Sequence, residues 1–378
     1  MANKNFYNQD DEKQPDKKYS FSDASIHPEI REFKNLRTSS APHPKPISTK
    51  KLSDKERIVY DSFFDSTSFG KDEKGGQTIV AILDTGVYAE HRLLNRNVIA
   101  QLSYHLRSVG SPDVKDSHGH GTHLAGIIAA AQSGKEKYGG IAPETKIVSI
   151  KVTNKKDGFT SLWKITQGLE RVISYNADAS NKSKITSVLI AFNSSDNVEE
   201  WGKPIRHRLS ALINTLYIQR IPVIVSAGNR FEDYQQDGIG YPAYLDNVFV
   251  AGAAYSKATG YNAIDDLAEF SQRIISANSG NKRLFLFASG VNTTSCGIEN
   301  PDDMSVISGS SQSAATLAGY ISLIQGKFYK KHGYYPHLDR LKKFLMNSGR
   351  AIKVNKPGNI SYAKTFLHAD IKAALSSI

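Results

Sequence analysis

Thr78-Ile79-Val80-Ala81-Ile82-Leu83-Asp84-Thr85-Gly86 is a short, mostly apolar run that ends on a carboxylate and a glycine turn. It is too short for a typical helix and too continuous for a strand with one wet face. It reads as a strand of a parallel sheet, buried on both sides, with Asp84 delivered at its carboxyl end. In open α/β sheets, ligands and catalytic groups gather at that edge.

Downstream, residues 146–152, 185–192, 221–226 and 248–251 repeat the strand texture, while residues 124–131, 160–173 and 209–219 carry helical patterns. Strand and helix in alternation predict an α/β fold, a mainly parallel sheet with helices on both faces. Leu338, Leu341, Phe344 and Leu345 form an apolar stripe, and residues 371–375 read as a closing segment. No internal repeat is visible. Upstream, residues 1–50 are polar and hold five of the 13 prolines, which suggests a disordered arm or a short propeptide ahead of one domain over residues 51–378. Residues 52–69 read as a helix packed on that domain.

The 378 residues carry a formal charge of +11, with 39% hydrophobic residues and a single cysteine, Cys296. No apolar run reaches the roughly 18 residues of a membrane span, and the first residues lack an apolar signal region, so a cytoplasmic protein is expected. Between positions 326 and 356, nine Lys or Arg face one acid, Asp339. A solvated helix face accounts for this cluster more simply than a groove for nucleic acid.

Three histidines fall within Asp116-Ser117-His118-Gly119-His120-Gly121-Thr122-His123. Their spacing lacks a third metal ligand at a recognisable interval, so no metal is expected. A second stretch, Ile307-Ser308-Gly309-Ser310-Ser311-Gln312-Ser313, leads from a strand end through a tight turn into a helix of small residues. Serine at a helix start is also an ordinary cap, and that stretch alone is explained by capping. The rest of the chain changes the balance. A carboxylate can orient an imidazole, the imidazole can take a proton from a hydroxyl, and the hydroxyl can attack a carbonyl. Here the order is Asp84, His120, Ser311, which differs from that of α/β-hydrolases and of chymotrypsin-like enzymes.

On Ala81-Ile-Leu-Asp84-Thr-Gly86, Gly119-His120-Gly-Thr-His-Leu-Ala-Gly126, Ser226-Ala-Gly-Asn229 and Gly309-Ser-Ser311-Gln-Ser-Ala314, the chain resembles the subtilisin-like serine peptidases over about residues 75–330. The resemblance implies the family's three-layer fold and the activity of a serine endopeptidase. Asp84 would orient His120, His120 would act as general base and then acid, and Ser311 would form the acyl-enzyme. Asn229 falls where the family places the side-chain donor of its oxyanion hole. Substrate would meet Gly158, Phe159, Phe192, Gly228, Arg230 and Gly240, with the 157–159 segment pairing to it as an added strand.

Several positions depart from the family pattern. Ser310 and Ala315 replace a threonine and a proline, and Ala191-Phe192-Asn193-Ser194 replaces the Ser-Leu-Gly wall of the primary specificity pocket, with Phe192 expected to reshape it. Arg230 at the rim suggests a preference for an acidic or polar residue before the cut. The turn at residues 132–137 lacks the asparagine-containing pattern of a family calcium loop, so no cofactor is expected. The partners implied are a protein or peptide substrate, with an inhibitor or activator as a further candidate, and neither membrane nor nucleic acid. The expected role is limited processing of an intracellular protein or peptide. The rival reading is a peptide-binding scaffold of the same fold that no longer cuts.

Overall fold

A computed structural model describes residues 36–38, 73–105, 113–131, 139–153, 158–198, 208–255, 266–274, 284–355 and 363–378. The helix expected over residues 52–69, the turn at 132–137 and nearly all of the segment 1–50 lie outside the described residues.

In chain order the elements are β1 (Leu36–Thr38), β2 (Ile79–Asp84), β3 (Val98–Ser103), α1 (His120–Ala129), β4 (Lys146–Lys151), β5 (Phe159–Thr160), α2 (Leu162–Ala177), β6 (Ser187–Ile190), β7 (Phe192–Asn193), α3 (Arg208–Ile218), β8 (Val223–Ser226), α4 (Phe231–Tyr234), β9 (Val248–Ala254), β10 (Leu284–Ser289), β11 (Thr293–Cys296), β12 (Met304–Ile307), α5 (Ser310–His332), α6 (Leu338–Ser348), β13 (Arg350–Asn355), β14 (Ala363–His368) and α7 (Ile371–Ser376). Nine strands form one sheet in the order β13-β14-β10-β9-β8-β6-β2-β4-β3, parallel throughout except for the β13–β14 pair at one edge.

Successive side chains of a strand point to opposite faces, and the sequence of β2 uses both. Val80 and Ile82 enter a core with Leu124 and Ile128 of α1, Leu317, Ile321 and Ile324 of α5, and Leu341 of α6. Ile79, Ala81 and Leu83 enter a second core with Ile165, Leu169 and Val172 of α2 and Leu209, Ile213 and Leu216 of α3. All six residues of β2 are buried, and each fully buried large apolar side chain contributes about 1.5–3 kcal/mol. The three layers follow from that alternation.

The structure breaks the strand expected over 185–192 at Ala191: β6 stays in the sheet and β7 leaves it. There β7 forms a separate three-stranded sheet, with β1 in the middle, antiparallel to β5 on one side and to β7 on the other. The basic segment is also less uniform than a solvated face. Lys330, Lys331 and His332 close the last turn of α5, where cations complement the helix dipole. Lys342, by contrast, is buried, donates to the Tyr217 hydroxyl at 2.9 Å and lies 4.6 Å from that ring's centroid. Among the described residues, no helix is long and apolar enough to cross a membrane.

Candidate active site

Asp84 ends β2, and His120 opens α1. Glycine makes their approach possible, because a Cβ on Gly121 would lie 2.2 Å from the Gly86 carbonyl oxygen and 3.2 Å from Asp84 Cβ. The Gly121 N–H donates to Thr85 Oγ1 at 3.0 Å, which ties the helix start to the strand end. Asp116 completes the mount. Its carboxylate accepts from the N–H groups of His118, Gly119 and Thr122 and from the Thr122 hydroxyl, at 2.6–3.0 Å. The first amides of an α-helix have no partner within the helix, so this carboxylate both caps α1 and fixes the loop that carries His120. Sequence reasoning gave Asp116 no role; the signal was an Asp just ahead of a Gly-x-Gly helix start.

Asp84 Oδ1 lies 2.8 Å from His120 Nδ1, with both residues buried. A carboxylate can only accept there, so Nδ1 carries the proton and Nε2 is the basic nitrogen. Nε2 is buried and has no hydrogen-bond partner among the described residues. Ser311 is the second residue of α5, and its hydroxyl donates to the Ala191 carbonyl at a long 3.4 Å.

Asn229 follows β8. Its Oδ1 accepts from the Ser310 N–H at 2.8 Å, which fixes the amide orientation and turns Nδ2 away from that bond. Nδ2 is buried and has no partner among the described residues, a donor held ready for an oxygen. The Ser310 hydroxyl accepts from the Gly228 N–H at 3.1 Å, so the hydroxyl kept at this position has a stated use. From below, Ser313 and Thr316 of α5 donate to the carbonyls of Ala288 and Ser289 at 2.9 and 3.0 Å.

The structure therefore brings Asp84, His120, Ser311 and Asn229 to one edge of the sheet. Gly158 is tight against His118, where an added Cβ would meet the ring at 2.8 Å, and Phe159 pairs with Arg37 of β1. Phe192 is fully buried in the second core and pairs by backbone with Thr38. Gly228 sits over Gln272, and Gly240 faces Asn193 and Ser194. Arg230 is exposed, with its Nε 2.8 Å from Asp233 and its guanidinium 5.6 Å from the centroid of the Tyr234 ring.

His123 works elsewhere: its Nε2 donates to the carbonyls of Thr293 and Ser305, 3.0 and 3.2 Å away on β11 and β12. Burial first, and then the neighbouring His120, push its pKa down to about 3. Burial likewise pushes the Cys296 thiol up, out of the reactive range. Among the described residues there is no cluster of three or more His, Cys, Asp or Glu that could hold a metal.

The model of the subtilase family matches residues 75–361. Among curated proteins, the chain is similar to an intracellular serine protease of Paenibacillus polymyxa, 29% identical over 216 residues, which is 55% of this chain and 61% of that protein. It is also similar to the major intracellular serine protease of Bacillus subtilis, 25% identical over 289 residues, 76% of this chain and 80% of that protein. Serine protease AprX of the same organism is 31% identical over 230 residues, 59% of this chain and 49% of that protein.

Proposed function

The chain belongs to the subtilase family, and on that premise we propose that it is a serine-type endopeptidase that cuts peptide bonds through an acyl-enzyme on Ser311. The observation that carries this reading is the pairing of Asp84 with His120 Nδ1 at 2.8 Å, which leaves Nε2 as a buried base without a partner among the described residues. In the reaction, Nε2 takes the Ser311 proton as Oγ adds to the substrate carbonyl, and returns it to the leaving amine. The developing negative oxygen is met by Asn229 Nδ2. Water then repeats the sequence on the ester and frees Ser311.

Substrate enters as a middle strand. The described edges β5 and β7 are spaced to hold one, since β1 of this chain lies between them with Arg37 opposite both Phe159 and Asn193. Main-chain bonds then supply binding that is indifferent to sequence, and the pockets supply selection. Arg230 remains a rim residue in this reading; its engagement with Asp233 weakens the acidic preference expected from the sequence. Two of the similar proteins are named as intracellular serine proteases, which supports an intracellular setting; limited processing of a protein or peptide there is the role we propose. The test is digestion of casein by wild type, Asp84→Asn and Ser311→Ala. Cleavage by wild type alone supports the reading; equal cleavage by Ser311→Ala, or none by folded wild type, contradicts it.

A further inference from the structure

The wall of the groove contains a polar side chain that the proposed chemistry does not use. Asn193 of β7 is buried and turned toward the end of β8: its Nδ2 donates to the Ser226 carbonyl at 2.6 Å, and the Ser226 hydroxyl donates back to its Oδ1 at 2.6 Å. On the opposite side, a Cβ built on Gly240 would lie 3.2 Å from Asn193 Cβ and 3.0 Å from the Ser194 carbonyl oxygen. Beneath Gly228, a Cβ would meet the Gln272 amide oxygen at 1.9 Å. The space between β7 and the end of β8 is thus bridged by the Asn193 side chain, with Gly240 lying close on its Cβ.

The register of the groove identifies which part of a substrate meets this space. In β1, Arg37 lies opposite Asn193 and Thr38 opposite Phe192. A peptide in the same register places its next residue opposite Ala191, whose carbonyl receives the Ser311 hydroxyl at 3.4 Å. That residue carries the carbonyl under attack. Opposed residues of an antiparallel pair send their side chains to the same face, and so do residues two apart on one strand. The side chain before the cut therefore leaves the strand on the face that carries the Asn193 side chain, and runs toward the Asn193–Ser226 pair.

We infer that Asn193, clamped by Ser226, is the specificity-determining residue of this enzyme and restricts the position before the cut to glycine, alanine or serine. The inference rests on the endopeptidase reading. It gives the pocket a steric selector in place of the charge of Arg230. The residues of β1, Leu36-Arg37-Thr38, supply the leading part of a suitable probe.

The experiment compares kcat/KM for acetyl-Leu-Arg-Thr-Xaa coumarin amides, with Xaa as Gly, Ala, Ser, Asp, Leu or Phe, and active enzyme counted by fluorophosphonate titration. In wild type, Ala and Ser exceed Leu and Phe by about tenfold or more, the scale set by one or two misfitting methylenes. In Asn193→Gly the ratio of Phe to Ala rises by about tenfold or more. Ser226→Ala, which frees the clamp without changing β7, moves the same ratio in the same direction by a smaller factor. Titratable enzyme that cuts after Leu or Phe as fast as after Ala, or prefers Asp, overturns the inference and leaves the endopeptidase reading standing. An unchanged ratio in both folded variants also overturns it. Folded wild type that takes no probe at all removes the endopeptidase reading, and this inference with it.

Discussion

Where α1 and α5 meet the end of β2, each group that aims a reacting atom is held by another: Asp116 holds the His120 loop, Asp84 holds the ring, and Ser310 holds both Gly228 and Asn229. The groove between β5 and β7 is built differently. Its backbone pairing is two residues long on each side of β1, and Phe192 and Asn193 there depart from the family pattern, as Ser310 and Ala315 do in α5. The geometry of the proposed site depends on glycines and short polar side chains, as at Gly121, where an added Cβ would lie 2.2 Å from the Gly86 carbonyl oxygen. Pocket shape depends on side-chain volume, which can change while the backbone stays in place.

The largest effect expected on this contrast is at the donor. Asn229→Ala should lower kcat by about 100- to 1,000-fold with little change in KM, because it removes a bond made mainly in the transition state. A drop confined to KM would move Asn229 into the binding half. Ser310→Ala strands the Gly228 N–H and loosens Asn229; a buried amide without a partner costs about 1–3 kcal/mol, so kcat should fall about tenfold, with recovery in Ser310→Thr.

Acid should strike the catalytic half as well. His123 in the unfolded chain takes a proton near 6.5, whereas the folded chain resists it down to about 3. Below pH 6.5 the unfolded state therefore binds more protons, and stability should fall by up to about 1.4 kcal/mol per pH unit from this group, while above 6.5 it contributes no slope. Denaturant midpoints between pH 7 and pH 5 should show the decline, and His123→Gln should flatten it. Arg230→Ala should have the smallest effect: an exposed ion pair contributes about 0–1 kcal/mol, so cleavage after Asp should change by less than about fivefold.

What could be read from the sequence follows the same division. β2, β4, β8 and β9 are legible as apolar runs because both faces of the sheet are covered, and the four positions of the proposed site because turns and glycines mark them. β3 escaped notice because it is an edge strand, with Ile99 exposed and Gln101 in its middle. The antiparallel β13–β14 edge mixes charged and apolar residues and shows neither period clearly. β10, Leu-Phe-Leu-Phe-Ala-Ser, is a continuous apolar run of the same kind, buried along its whole length. The split between β6 and β7 could not be read at all: the residues on both sides are apolar, and only the tertiary path makes Ala191 leave the sheet. Asn193 was visible only as a departure from a glycine, and its bonds to Ser226 needed the fold.

The central claim is that Asp84 and His120 activate Ser311. Fluorophosphonate labelling of wild type, His120→Ala and Ser311→Ala tests it most directly. The account predicts rapid labelling of wild type, none of Ser311→Ala, and labelling of His120→Ala slowed by at least about 1,000-fold, the scale of losing the base of a triad. Folded wild type that stays unlabelled, or His120→Ala that labels at the wild-type rate, would contradict it.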